Sequence, residues 1–303
     1  MPKVAFLFPG QGAQAVGMGK GLYDELPAAR ALFDRANDLL GFDLKSACFD
    51  SPAEALEPTD VSQPAIYVAS LAALESLKAT NPDLVASAEG AAGLSLGEYT
   101  ALVFAGAMDF ETGLRIVQRR GQAMQAAALA TPSGMASVLG LNEAAIDELC
   151  TKVAPDGGLW KANLLGPGNV VVSGEKWAIE AVEPAASAMG ASRVIPLAVA
   201  GAFHSPIMQS GAVSLDEVLA ETTFHATRIP VYSNVDATPH DDPAGIRSKL
   251  VAQVVGPVRW EESIRRMMAD GFDTFYEIGP GRVLTGLLKR IDRKTPCTSV
   301  PAR

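Results

Sequence analysis

The sequence predicts an α/β protein: a core built on a parallel sheet, with an inserted small subdomain of βαββαβ, ferredoxin-like order. Three observations support it. Short apolar runs alternate with stretches of helical periodicity along most of the 303 residues. Gly93-Leu94-Ser95-Leu96-Gly97 joins an apolar run to a helical one, the setting of a strand–turn–helix elbow. From about residue 134 to 199 the order becomes strand, helix, two strands around Gly166-Pro167-Gly168, helix, strand.

Val4-Ala5-Phe6-Leu7-Phe8 reads as a buried strand within residues 3–8; it is too short for the apolar region of a signal peptide and is closed by Pro9-Gly10. The loop after it lacks the G-x-G-x-x-G spacing of a dinucleotide site. Residues 21–33 and 63–76 are helical, the second with Ala65, Tyr67, Val68, Leu71 and Leu74 at core spacing. Residues 84–92, mostly small or apolar, read as the strand entering the elbow, and 98–105 as the helix leaving it. Leu114, Val117, Gly121 and Met124 share one face of a helix over 109–128.

Within the subdomain, strands are expected at 135–141, 159–164, 169–173 and 193–199. Helices are expected from the capping residue Asn142 to Val153 and over 175–189. The core resumes at 200–220, with a strand at 230–233 and an Asp- and Pro-rich loop at 236–243. Helices at 245–255 and 259–270, a strand at 274–278 and a helix at 283–291 complete it. The core therefore comprises residues 1–130 and 200–303, and the subdomain residues 131–199.

Composition is that of a globular enzyme: at 48% hydrophobic and 19% charged, the chain is too apolar for disorder. A net charge of −9 argues against nucleic-acid binding and means that an acidic partner needs a local basic patch. Cys48, Cys150 and Cys297 have neither metal nor redox spacing, so free thiols in a reducing compartment are expected and no metal site. No run approaches the ~18 apolar residues of a spanning helix. The expected setting is cytoplasmic, or an organelle stroma after loss of a transit peptide, without membrane association.

The elbow serine would stand at a helix N-terminus, where free N–H groups favour developing negative charge. By itself the pentapeptide fits either a nucleophile or a solvated serine in a Gly-rich turn. A serine nucleophile needs a base, and only His204, His225 and His240 are available. His240 reads as exposed in its polar loop and His225 as lying at an element edge. His204, held between Gly201 and Pro206 after the last subdomain strand, is the candidate by elimination. No Asp or Glu stands in an obvious loop-end position between Ser95 and His204, which favours a Ser–His pair with a neutral acceptor orienting the imidazole. Arg119 and Arg120 are either a solvated face or, for one of them, a bidentate site for a substrate carboxylate.

Taken together, the motifs resemble those of the malonyl-CoA:acyl-carrier-protein transacylases of fatty-acid synthesis, over essentially the whole chain. The resemblance runs through Phe8-Pro9-Gly10-Gln11-Gly12-Ala13-Gln14, Gly93 to Leu102, Arg120-Gly121, Pro167-Gly168-Asn169, Gly201-Ala202-Phe203-His204-Ser205, Ser233-Asn234-Val235-Asp236, Gln253 with Pro257-Val258-Arg259-Trp260, and Glu277-Ile278-Gly279-Pro280-Gly281. It implies an α/β-hydrolase-like core with a ferredoxin-like insertion. It also implies roles. Ser95 is acylated and His204 is its base. The Gln253 carbonyl orients the imidazole, and the N–H groups of Gln11 and Leu96 form the oxyanion hole. Arg120 pairs with the malonyl carboxylate, and Phe203 narrows the space near the malonyl α-carbon.

The substrates implied are malonyl-CoA and acyl carrier protein, with no cofactor and a monomeric enzyme. Leu94 departs from the histidine many members carry before the serine, which bears on rate and pH tuning. Since carrier proteins are acidic, docking is expected at Lys289-Arg290 through Lys294, or at Lys161 or Arg193. The rival readings are a serine thioesterase or esterase, a discrete polyketide acyltransferase, and a catalytically silent carrier-binding subunit.

Overall fold

Val4–Phe8 (β1) is buried at all five positions, which suits the centre of a parallel sheet covered on both faces. In the computed structural model, which describes residues 2–240 and 242–303, β1 lies between β2 (Ala88–Gly93) and the late strand Thr274–Gly279, both parallel to it. Chain order gives β3 (Ser133–Leu139), β4 (Leu159–Gly166), β5 (Asn169–Glu175), β6 (Arg193–Pro196), β7 (Val231–Tyr232), β8 (Thr274–Gly279) and β9 (Cys297–Pro301). The first sheet runs β7-β2-β1-β8-β9, all parallel. Strand order reverses at β1, and in open α/β sheets ligands bind beyond the carboxyl ends of strands at such a point. The loops leaving β1 and β2 there carry Gln11 and Ser95.

The second sheet is antiparallel, in the order β4-β5-β3-β6. Its faces are divided by the two-residue period of a strand. Ala136, Val138, Val170 and Val172 pack with Ile146, Leu149, Ala178 and Val182 from helices Glu143–Val153 and Lys176–Ala188. Met135 and Val171 face the other way, into the main core. This explains why β5 is apolar at successive positions, since both of its faces are covered. β4 is tied to the segment that precedes helix Trp260–Ala269, where Leu164 N–H donates to the Val258 carbonyl at 2.9 Å and Val258 N–H to that of Ala162 at 2.8 Å.

Several expectations need correction. The helix expected over 21–33 is two helices, Lys20–Glu25 and Pro27–Leu40, because Leu26 before proline is extended. The run 84–92 begins as a helix, Pro82–Ala86, with Pro82 in its first turn and Asn81 capping Leu84 N–H at 3.2 Å; the strand starts only at Ala88. β6 stops at Pro196 rather than continuing to 199. β9 was not expected: it is an edge strand of small and polar residues ending in proline, with no apolar run to mark it. Among the described residues, no helix is long and apolar enough to cross a membrane.

Candidate active site

Three backbones converge at the elbow. A Cβ on Gly93 would lie 1.9 Å from the Gly97 carbonyl carbon, one on Gly97 2.0 Å from the Phe8 carbonyl oxygen, and one on Gly10 2.3 Å from the Leu94 oxygen. Only glycine allows β1, β2 and the helix Leu96–Ala105 to approach this closely. Ser95 itself takes φ 52° and ψ −105°, a strained turn that lifts its side chain clear of the sheet. Its N–H donates to Asn234 Oδ1 at 2.7 Å, and Asn234 Nδ2 donates back to the Gly93 carbonyl at 2.8 Å, so the strain is held from both sides.

His204 also sits at positive φ, 58°. The loop is braced by Ser173 Oγ–H donating to the Phe203 carbonyl at 2.5 Å and Ser205 Oγ–H to that of Ala202 at 2.6 Å. His204 Nδ1 lies 2.7 Å from the Gln253 carbonyl oxygen, which can only accept, so the proton is on Nδ1. Nε2 is then a lone pair, 2.8 Å from Ser95 Oγ, and the serine hydroxyl donates to it. Burial and then the nearby Arg120 charge push His204 down to about 4, partly opposed by the Gln253 carbonyl. The imidazole is therefore neutral near pH 7.

Arg120 is 1% exposed. It is brought here by Gly121, where a Cβ would sit 2.9 Å from Asp60 Cα, so helix Phe110–Ala130 packs tightly on helix Thr59–Thr80. Its Nη1 donates to Gln63 Oε1 at 2.8 Å, and its Nη2 to Ser95 Oγ at 2.9 Å and to Gln253 Oε1 at 3.0 Å. Arg119, the other member of the pair, is exposed and reaches Glu217 at 3.5 Å. Thus nucleophile, imidazole and guanidinium meet at one oxygen.

A cavity of about 430 Å³ opens on that oxygen. Gln11, Leu94, Ser95, Leu96, Arg120, Phe203 and His204 line it from the core, with Met135 and Val171 from the small sheet and Leu197 from the segment just after β6. Leu96 N–H, first in its helix, has no intrahelical acceptor. Gln253 lies behind the imidazole, fully buried. At the mouth, Val283 and Leu287 belong to a helix whose last turn carries the exposed Lys289 and Arg290. Lys161 is engaged by Glu143 at 2.7 Å and Asp147 at 2.9 Å, while Arg193 is exposed.

His240 is not exposed as expected. It is buried, with Nε2–H donating to Glu98 Oε1 at 2.8 Å, because its N–H pairs with the Val231 carbonyl and draws the loop over the sheet edge. His225 is exposed. Sequence reasoning missed Gln63, Glu98 and Asn234; the nearest signal was that Glu98 and Asn234 stand inside the motifs quoted above.

Chemically, this arrangement can deprotonate a hydroxyl and receive a carboxylate beside it. A family model described as an acyl transferase domain matches residues 5–302. The malonyl CoA-acyl carrier protein transacylase of Bacillus subtilis is 44% identical over 99% of this chain and 94% of its own length. That of Escherichia coli K12 is 40% identical over 96% of this chain and 93% of its own. The crystal structure of an acyl-carrier-protein-S-malonyltransferase from Bartonella henselae superposes with a TM-score of 0.94 at 39% identity, covering 98% of this chain and 95% of that one. A solved complex of a type II PKS acyl-carrier protein with its malonyl-transacylase matches at TM-score 0.92 and 38% identity, covering 99% and 95%.

Proposed function

The chain belongs to the acyl transferase domain family, among its malonyl-CoA:acyl-carrier-protein transacylases, and from that premise we propose how its residues divide the reaction. The enzyme moves a malonyl group from malonyl-CoA to the phosphopantetheine thiol of acyl carrier protein. One observation carries the assignment: Ser95 Oγ lies 2.8 Å from His204 Nε2 and 2.9 Å from Arg120 Nη2.

The malonyl carboxylate takes over the guanidinium, releasing Ser95 Oγ from Arg120. His204 Nε2 accepts the hydroxyl proton as Oγ attacks the thioester carbon. The N–H groups of Gln11 and Leu96 meet the charge that builds on the carbonyl oxygen. The C–S bond breaks, and His204 gives its proton to the departing coenzyme A thiolate. The carrier thiol then yields its proton to His204 and attacks the malonyl ester, and Ser95 Oγ leaves with that proton. Both half-reactions balance without a cofactor. Gln253 orients the imidazole through its carbonyl, and Phe203 limits bulk at the α-carbon.

The core of 1–130 and 200–303 supplies the reacting groups, and the subdomain of 131–199 supplies the opposite wall. Lys289 and Arg290, at the far end of a helix that begins at the cavity mouth, fit the acidic carrier. We place this chemistry in a monomeric enzyme of the cytoplasm or an organelle stroma, serving fatty-acid elongation. A type II polyketide carrier is the second reading, favoured by the solved complex described above. It differs only in the partner.

The test is intact-protein mass spectrometry. With malonyl-CoA the protein is expected to gain one malonyl group and to lose it on addition of carrier protein bearing phosphopantetheine. Loss to water at the same rate without carrier would favour a thioesterase instead. Arg120→Ala is expected to lower malonyl kcat/KM by about 10²-fold or more, the cost of leaving a buried carboxylate unpaired, and to raise relative acetyl transfer. An unchanged preference would remove Arg120 from substrate selection.

The low His204 value has a visible sign. The base must be neutral, so the acid limb of acylation is expected near pH 4. An imidazole at the ordinary ~6.5 would already cost roughly tenfold at pH 5.5. Rapid-quench acylation between pH 4 and 8 separates the two.

A further inference from the structure

Glu98 is fully buried in the first turn of the helix leaving the elbow, on the side away from the cavity. Three donors converge on its carboxylate. His240 Nε2–H reaches Oε1 at 2.8 Å; Asn234 N–H and Gln253 Nε2–H reach Oε2 at 3.0 and 2.6 Å. Two of these residues go on to touch the reacting groups. Asn234 Oδ1 accepts from Ser95 N–H at 2.7 Å. Gln253 Oε1 accepts from Arg120 Nη2 at 3.0 Å, and the Gln253 backbone oxygen accepts from His204.

The chain of bonds has only one workable sense. A carboxylate accepts and never donates, so Gln253 must turn its amide nitrogen toward Glu98. Its amide oxygen is then forced to face Arg120. A reversed amide would aim N–H groups at a guanidinium that can itself only donate. His240 satisfies Oε1, which leaves Oε2 to Asn234 and Gln253.

The charges follow the same logic. A buried guanidinium needs an anion, yet a carboxylate in direct contact would fill the place a substrate carboxylate must take. Among the described residues Arg120 makes no ion pair; its hydrogen bonds go to the neutral Gln63, Gln253 and Ser95, and its guanidinium carbon lies 5.2 Å from the centre of the Tyr99 ring. Glu98 stands one amide away. Burial pulls Arg120 down from its ordinary value, whereas Tyr99 and then Glu98 act in the opposite direction.

We propose that Glu98 is a positioning residue for acyl selection: acting through Gln253, it holds the Arg120 guanidinium oriented and charged while leaving it unoccupied for a substrate carboxylate. The inference rests on Arg120 being the malonyl contact. His204 and Ser95 serve malonyl and acetyl groups alike, so a purely structural role for Glu98 would slow both. A role through Arg120 changes their ratio.

The experiment compares kcat/KM for malonyl-CoA and acetyl-CoA in wild type, Glu98→Gln, Arg120→Ala and the double variant. Glu98→Gln is expected to lower the malonyl-to-acetyl ratio by roughly tenfold or more, and the double variant to match Arg120→Ala alone, as residues acting in series do. A wild-type ratio in Glu98→Gln overturns the proposal, however far both rates fall. If Arg120→Ala itself keeps the wild-type ratio, the fault lies with the reading of Arg120. Should Glu98→Gln fail to fold, Gln253→Leu keeps the backbone carbonyl on His204 and removes the side-chain link, together with the Nε2–H bonds to the Ser95 carbonyl at 3.1 Å and Asn234 Oδ1 at 3.3 Å; those losses fall on both acyl groups, so the ratio still reports on Arg120. It carries the same expectation and the same refutation.

Discussion

Ser95→Ala is expected to abolish the malonyl adduct and to lower transfer to carrier protein by about 10⁴-fold or more, and His204→Ala to come within a few-fold of that loss. The two should not add. A hydroxyl without its base is a poor nucleophile, and a base without the hydroxyl has nothing to activate, so the double variant is expected to be no worse than Ser95→Ala. The geometry sets the size of the effect. The Gln253 carbonyl fixes the imidazole tautomer, and Arg120 and His204 hold the hydroxyl from two sides at 2.9 and 2.8 Å. None of the three cysteines stands ready to substitute. Burial pushes the thiols of Cys48 up to about 12 and of Cys150 and Cys297 up to about 11, so thiolate is scarce near neutrality. Quenched-flow acylation read by intact mass checks the prediction. A malonyl adduct persisting in Ser95→Ala would move the nucleophile elsewhere.

What was legible in the sequence was whatever has a local signature. The five apolar residues of β1, the capping Asn142 and the Gly-Pro-Gly turn each announce an element through chemistry within a few residues. Ser95 is legible for the same reason, since its turn demands glycines at fixed offsets. Residues defined by distant partners are not. Glu98 looks like an ordinary first-turn acid, favoured there by the helix dipole, until β7, the loop after it and helix Pro243–Val255 close over it. His240 has aspartates and prolines beside it and still ends buried, because one backbone hydrogen bond to Val231 decides its depth. Arg119 and Arg120 are the sharpest case: adjacent cations on one helix, a hundred degrees apart around its axis, one in solvent and one in the core. Polarity alone could not separate them. Gly121 could have done so, since a glycine beside Arg120 marks the face where another helix approaches.

Gly97→Ala should disable the enzyme by a different route. The new Cβ would lie 2.0 Å from the Phe8 carbonyl oxygen, 2.7 Å from its carbon and 3.0 Å from the Pro9 oxygen. All three are backbone atoms where β1 meets the loop to Gln11, so no rotamer change relieves the clash. Either β1 or the elbow helix must move, at a cost of about 3 kcal/mol or more. The same displacement separates Leu96 N–H from Gln11, the proposed pair of oxyanion donors, and losing one such donor is worth roughly 10²-fold in rate. Gly97→Ala is therefore expected to lower Tm and, in the fraction that remains folded, to slow acylation more than substrate binding. Gly286→Ala is the matched control. A Cβ there meets nothing within 4 Å, the residue is helical, and alanine is the better helix former. It should hold or raise Tm and leave acylation intact. Thermal melts and single-turnover acylation of the two variants test whether the elbow glycines are there for the close approach of three backbones, since a Gly97→Ala enzyme with wild-type Tm and rate would leave no role for that approach.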